Sequence, residues 1–327
     1  MALRDDLEAS LRAHWDRGTL AVYADHLQGL GEVRGELIVL DLRIEEVGPL
    51  PELVARRKEL LTAWLATQPP GKIQHGFVDV DASGADPVFQ TLAAFENPAA
   101  PYIRTVLVAG TPAQILEALG IIGWAPRPGL VRLVLRQWNE GDLPSVREAP
   151  LRALVDATPH LDTLELEGHR VLGDVAHPTV RSLRVSGWNA FEALIGKGSP
   201  LPSLTELDFA YASQLGVHEG RASLPGLLHA SRLPALRSLD LSRNEVGSKT
   251  DPNNLAADYD PFELVRMLTV SNQLVALRLP RLRSELQVDH LRTALARMRR
   301  LERLEIRASP AQLGRDLVHP RAAITFF

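Results

Sequence analysis

The chain has 327 residues, 45% of them hydrophobic and 23% charged, and its 36 basic against 40 acidic side chains leave a formal net charge of −4. That balance gives no global pull toward nucleic acid or an anionic membrane surface. With no cysteine there are no disulfides, thiolate metal ligands or cysteine nucleophiles.

Arginine supplies 32 of the 36 basic residues, which we read as the coding bias of a GC-rich bacterial genome. The start, Met-Ala-Leu-Arg-Asp-Asp-Leu-Glu, carries acids where a signal peptide needs an apolar core. No uncharged apolar run approaches the ~18–20 residues of a membrane span. The expectation is a cytoplasmic protein with no membrane contact.

The first 72 residues read as a helical cap domain. Leu3, Leu7, Leu11 and Trp15 recur at i, i+4 spacing and predict one helical face. A second helix is expected to be capped by Thr19 and to carry Leu20, Tyr23 and Leu27, with Gly29 and Gly31 as stop signals. A third carries Leu37, Leu40 and Ile44 and ends near Gly48. Pro51 opens a fourth, ending before Pro69-Pro70, with Trp64 among its apolar positions. Asp25, Arg34 and Glu36 are expected to form a polar cluster bracing the helix pair.

Residues 73–327 change period. Phe77-Val78-Asp79-Val80 alternates like a strand, and Ile103-x-x-Val106-x-Val108 opens a series of six-residue patterns, L-x-x-L-x-L. Copies begin at Leu130, Leu161, Val180, Leu204, Leu236, Leu274 and Leu301, at spacings of 27, 31, 19, 24, 32, 38 and 27 residues from Ile103. Helix signals lie between them: Thr111-Pro112 closing at Gly120, Asn189 before Phe191, Asp260-Pro261, and Asp289 before His290. Each strand-turn-helix unit is too small to bury its own apolar face, so neighbours must stack. The polar stretch 242–260 reads as a surface loop, and Ala322 to Phe327 as a last strand or cap that, left open, offers an edge for a dimer. A monomer is otherwise expected.

These copies resemble leucine-rich repeats, whose full unit ends in asparagine. Leu236-Arg-Ser-Leu239-Asp-Leu241 with Asn244 is the fullest match, while the equivalent position elsewhere is Trp138, His169, Trp188, Ala212, Leu282 or Ser309. The segment Val22-Tyr23-Ala24-Asp25-His26-Leu27, followed by Arg34-Gly35-Glu36-Leu37-Ile38, resembles the bacterial repeat-companion domain that precedes such repeats. Together the resemblances imply an α/β leucine-rich-repeat solenoid, a horseshoe with parallel strands on its concave face and helices on its convex face, behind an N-terminal helical cap. They bring no activity with them.

No catalytic or metal signature stands out. The histidines lack ligand spacing, Gly196-Lys197-Gly198-Ser199 lacks the order of a phosphate loop, and no G-x-S-x-G elbow occurs. No cofactor is expected. Within each hexad the leucines should point to the core and the alternating positions to the open sheet face. Those positions are Arg132, Val134 and Arg136; Thr163, Glu165 and Glu167; Ser182, Arg184 and Ser186; Glu206 and Asp208; Ser238 and Asp240; Ala276 and Arg278; and Arg303, Glu305 and Arg307. Trp138, Trp188 and Tyr211 fall just past strand ends and would form an aromatic rim. The expected function is a non-catalytic scaffold binding a protein or peptide partner through Arg132, Arg136, Trp138, Glu165, Glu167, Arg184, Trp188, Glu206, Asp208, Tyr211, Asp240 and Arg278. The alternative is a peptide-recognition subunit beside a separate enzyme.

Overall fold

The computed structural model describes residues 2–65, 69, 71–137, 151–167, 177–187, 200–211, 228–244, 260–307 and 317–326. The chain divides into two compact units, Met1–Val134 with Asp156–Leu161, and Leu135–Val155 with Asp162–Phe327. It is an α/β protein whose strands, β1 to β11, follow one another in chain order in a mostly parallel sheet.

The first unit begins with four helices, α1 (Ala2–Ala13), α2 (Arg17–Gly29), α3 (Val33–Val47) and α4 (Pro51–Trp64). Leu11, Leu20, Tyr23, Ala24, Leu27, Ile38 and Leu42 form one core cluster, and Leu37, Leu40, Leu53 and Leu60 another. The interleaved positions on α3 bury it on two sides, against α2 and against α4. The face expected for α1 holds only in part. Leu11 is buried and Leu7 half-buried, but Leu3 is exposed and Trp15 lies beyond the helix end.

Thr19 does not cap α2. Asp16 does, its Oδ1 accepting the Thr19 backbone N–H at 2.9 Å and its Oδ2 accepting the Thr19 hydroxyl at 2.6 Å. The cap position needs an acceptor, and a carboxylate three residues before Thr19 supplies it directly. Those hydrogen bonds hold the Asp16 carboxyl below its usual range.

The α2–α3 contact explains a glycine. A Cβ on Gly35 would sit 2.7 Å from both the Ala24 carbonyl oxygen and the Gln28 nitrogen, so only glycine admits this approach. Beside it, Arg34 is 2% exposed. Its Nε donates to the Gly76 carbonyl at 3.0 Å, and its guanidinium carbon lies 3.4 Å from the Tyr102 ring centroid, with Phe77 and Tyr23 also around it.

Two strands, β1 (Gly71–Gln74) and β2 (Phe77–Ala82), form an antiparallel hairpin turned by His75 and Gly76 at φ values of 50° and 68°, the positive pair a two-residue turn needs. Helix α5 (Pro87–Glu96) then leads to β3 (Ile103–Gly110), parallel to β2, and α6 (Pro112–Gly123) follows. The expected Thr111 cap of α6 is present as a reciprocal box with Gln114, although the helix runs past Gly120. Strand β4 (Arg132–Gln137) and helix α7 (Leu151–Ala157) each span the division between the units.

In the second unit β5 (Thr163–Glu167), β6 (Ser182–Gly187), β7 (Glu206–Tyr211), β8 (Ser238–Asp240), β9 (Ala276–Leu279), β10 (Arg303–Ile306) and β11 (Ala323–Phe326) pair successively in parallel. One register row is Leu164, Leu183, Leu207, Leu239, Leu277 and Leu304, each at most 2% exposed.

The backbone repeats itself as strictly. The N–H groups of Leu204, Leu236 and Leu301 each return to the carbonyl three residues earlier, making a tight turn before the strand. In five consecutive steps one carbonyl then accepts two N–H groups from the next unit. Asp162 takes those of Arg181 and Ser182, Arg181 those of Thr205 and Glu206, and so on through Thr205, Arg237 and Val275. The sequence hexads thus mark the same backbone motif at each of these five steps, which pairs the main-chain groups along the stack.

Helices α8 (Pro261–Met267) and α9 (Glu285–Leu295) pack on each other. The expected Asp260 cap of α8 is present, accepting from the Phe262 N–H at 2.8 Å. Asp289 does not begin α9. Ser284 caps it, and Asp289 instead pairs with Arg292 one turn along. The buried Gln287 amide also joins the two helices by donating to Asp260 Oδ2 at 3.0 Å. The helix expected after Asn189, most of the 242–260 stretch, His169 and the Gly196–Ser199 turn lie outside the described residues.

Candidate interaction face

The open face of the second unit is organised by register. Glu165, Arg184, Asp208, Asp240, Arg278 and Glu305 are partners on six successive strands, β5 to β10. Each lies between buried apolar residues in its strand, so alternation turns it away from the core. Neighbours in such a row sit ~4.8 Å apart, close enough for charged side chains to meet.

They do meet, and the pairs link across strands. Arg184 Nε lies 2.9 Å from Asp208 and its Nη1 3.9 Å from Glu165. Arg278 reaches Asp240 at 3.3 Å and Glu305 at 2.5 Å. Arg303 flanks Glu305 at 3.4 Å. On the next position of β4 and β5, Arg136 pairs with Glu167 at 2.9 Å.

The alternation fails once. Asp208 and Asp240 are adjacent carboxylates. Arg243, just past β8, reaches back to Asp208 at 2.8 Å and offsets the repulsion. Burial still pushes the Asp208 carboxyl above its usual range, helped by Asp240, against the opposing pull of Arg243 and Arg184. Asp240 is further held by the Ser242 N–H at 2.8 Å.

Of the residues expected at the site, the row unites Glu165, Arg184, Asp208, Asp240 and Arg278, with Arg136 and Glu167 as a further pair. Arg132 is exposed at the start of β4, in the first unit. Glu206 is exposed two residues before Asp208, the row residue of β7. Tyr211 closes β7 opposite Gly187. Trp138 and Trp188 lie outside the described residues.

Three positions read as surface are not. Val134 is 2% exposed, Glu165 6% and Ala276 7%. Alternation fixes which way a side chain points, but neighbouring strands decide whether water reaches it. Arg243 was missed because it stands in a polar stretch that reads as loop. The signal was its place two residues after the Leu241 that closes the fullest hexad.

The expected Asp25, Arg34 and Glu36 cluster does not form in the first unit. Asp25 is exposed, Glu36 pairs with Arg56 at 2.8 and 3.1 Å, and Arg34 is buried among aromatic rings. Tyr23 donates its hydroxyl to Glu8 Oε1 at 2.6 Å, and its pKa is pushed up to about 12, first by burial, against the pull of Arg34.

The row offers paired donors and acceptors to an extended partner. Its acids, Glu165, Asp208, Asp240 and Glu305, match its bases, Arg184 and Arg278 in line with Arg243 and Arg303 beside them, so it makes no positive band for phosphates. Among the described residues no group of three or more potential ligands is placed to hold a metal ion, and no helix is long and apolar enough to cross a membrane. No protein-family model matches this chain, and no curated protein matches it significantly.

Proposed function

We propose that the chain is a leucine-rich-repeat solenoid behind a repeat-companion cap, and that it is a non-catalytic scaffold binding a protein or peptide partner. The six-strand charged row carries this reading. The arginines of its ion pairs stay 42% and 43% exposed although their acidic partners are mostly buried. Pairs held partly in water contribute only about 1 kcal/mol each, so stability alone is a weak reason to hold charged residues at one register on six strands. A partner with complementary spacing would exchange these pairs for its own, which confers selectivity more than raw affinity. Trp138, Trp188 and Tyr211 would add an aromatic rim, where interface energy concentrates. We place the protein in the cytoplasm as a monomer, in keeping with the absence of cysteine.

The test is selection from a random peptide library on the folded chain, followed by calorimetric titration of the enriched peptides. Affinity should fall about tenfold or more in Arg184→Ala and in Arg278→Ala, and should weaken with salt. Peptides that bind both variants as tightly as the parent would place recognition elsewhere.

A further inference from the structure

The first unit contains an open cleft of about 270 Å³. It lies between Trp15, the β1–β2 hairpin and β3. Arg104 on β3 and Asp79 on β2 both line it, yet among the described residues neither makes an ion pair. Arg104 has one long hydrogen bond, from Nη2 to the Leu11 carbonyl at 3.5 Å, and lies over Trp15 at 3.7 Å from the ring centroid.

Of the other polar groups there, the Gln74 amide is engaged at both ends, whereas the buried His75 Nε2, although near Glu45, has no hydrogen-bond partner among the described residues. Gln74 bonds Glu45 at 2.9 Å and Lys72 at 2.7 Å, and His75 Nε2 lies 3.0 Å from Glu45. Thr105 is the register partner of Asp79 on the adjacent strand. Trp15 and Phe77, ring centroids 5.2 Å apart and edge to face, supply an apolar wall. Half-burial pulls the Arg104 guanidinium below its ordinary pKa, and the charge of Asp79 opposes this in part. The cation is therefore desolvated without an anion in contact, the arrangement that a ligand's carboxylate relieves.

The occupant follows from the charges. A simple anion would meet Arg104 but be repelled by Asp79, and a simple cation the reverse. A zwitterion satisfies both. We propose that this cleft binds a free α-amino acid with an apolar side chain. Its carboxylate accepts from Arg104, its ammonium donates to Asp79 and the Thr105 hydroxyl, and its side chain lies on Trp15 and Phe77. This is a small-molecule site, separate from the peptide-binding reading of the charged row and independent of it.

The test is calorimetric titration of the full chain with L-leucine, L-methionine and L-phenylalanine, alongside L-leucinamide, which lacks the carboxylate, and N-acetyl-L-leucine, which lacks the ammonium. At least one amino acid should bind with a Kd of roughly 0.1–1 mM, and both leucine analogues should bind about tenfold or more weakly. Asp79→Asn, at an exposed position, should cost a similar factor, as should Arg104→Lys, each with an unchanged far-UV circular dichroism spectrum. The proposal is overturned by no binding of any of the three amino acids. Equal affinity for N-acetyl-L-leucine would overturn it too, as would binding unaffected by Asp79→Asn.

Discussion

Asp208 on β7 and Asp240 on β8 stand side by side at the same register, two carboxylates interrupting a row that otherwise alternates in charge. Arg243, which reaches Asp208 at 2.8 Å, is what makes this arrangement tolerable. Its removal, Arg243→Ala, should cost about 1 kcal/mol at neutral pH. That is below the ~1.5–3 kcal/mol of a charge-assisted bond, because the two side chains stay 26% and 23% exposed. Urea denaturation followed by circular dichroism checks the value.

The same carboxylate gives a pH dependence of known sign. Its folded pKa lies above the 3.8 of the unfolded chain. Below 3.8 both states hold the proton and Asp208 contributes nothing. As the pH rises past 3.8 the unfolded chain releases the proton first, so stability falls until the folded carboxyl also ionises. Asp208→Asn removes this slope. The stability of the variant minus that of the parent, from urea midpoints, should therefore rise with pH from about 3.8 upward and then level off. A flat or falling difference contradicts the assignment.

Arg34 is held by aromatic rings and a carbonyl, with its charge buried at 2% exposure. Arg34→Ala loses both the stem packing and the ring contacts, and should destabilise the chain by about 2–4 kcal/mol. Arg34→Met, which keeps the stem, should recover part of that. Thermal unfolding of the two variants in parallel separates packing from charge.

Two glycines in helices should respond in opposite directions. Gly35→Ala drives a Cβ to within 2.7 Å of α2 backbone and should cost about 1–3 kcal/mol. Gly120→Ala in α6 meets nothing within 4 Å and should stabilise by about 0.5–1 kcal/mol. Chemical denaturation midpoints moving apart support the close α2–α3 approach.

Asn244 donates through Nδ2 to the carbonyls of Phe209 at 2.7 Å and Leu241 at 3.0 Å, at 3% exposure. Asn244→Ala removes both side-chain bonds, while its backbone N–H still donates to the Leu241 carbonyl, and should cost about 1–2 kcal/mol. The equivalent position after the next strand is Leu282, fully buried. Leu282→Asn should destabilise by a comparable amount, because the amide replaces buried leucine packing there.

Much of the local architecture was legible in the residues because it is periodic. The hexads placed β4 to β10 to within a residue or two, and Thr111 and Asp260 marked their helices, since a strand of alternating leucines or a cap before proline has few alternatives. Caps failed where two candidates competed. Asp16 displaced Thr19 and Ser284 displaced Asp289, because cap choice depends on which residue turns extended, which spacing alone does not fix. The site was half legible. Alternation placed all six row residues on the open face, five of them among the expected partner contacts, but the pairing of Asp208 with Arg243 is a contact across strands, and the Arg104–Asp79 cleft joins segments far apart in the chain. Neither leaves a local pattern to read.

Reversing one charge of the row asks whether it recognises a partner. Arg184→Glu should abolish binding of a selected peptide. A second peptide, with the facing acidic residue changed to arginine, should bind the variant at least about tenfold more tightly than it binds the parent. Undiminished binding of the original peptide to a folded Arg184→Glu variant would contradict the account.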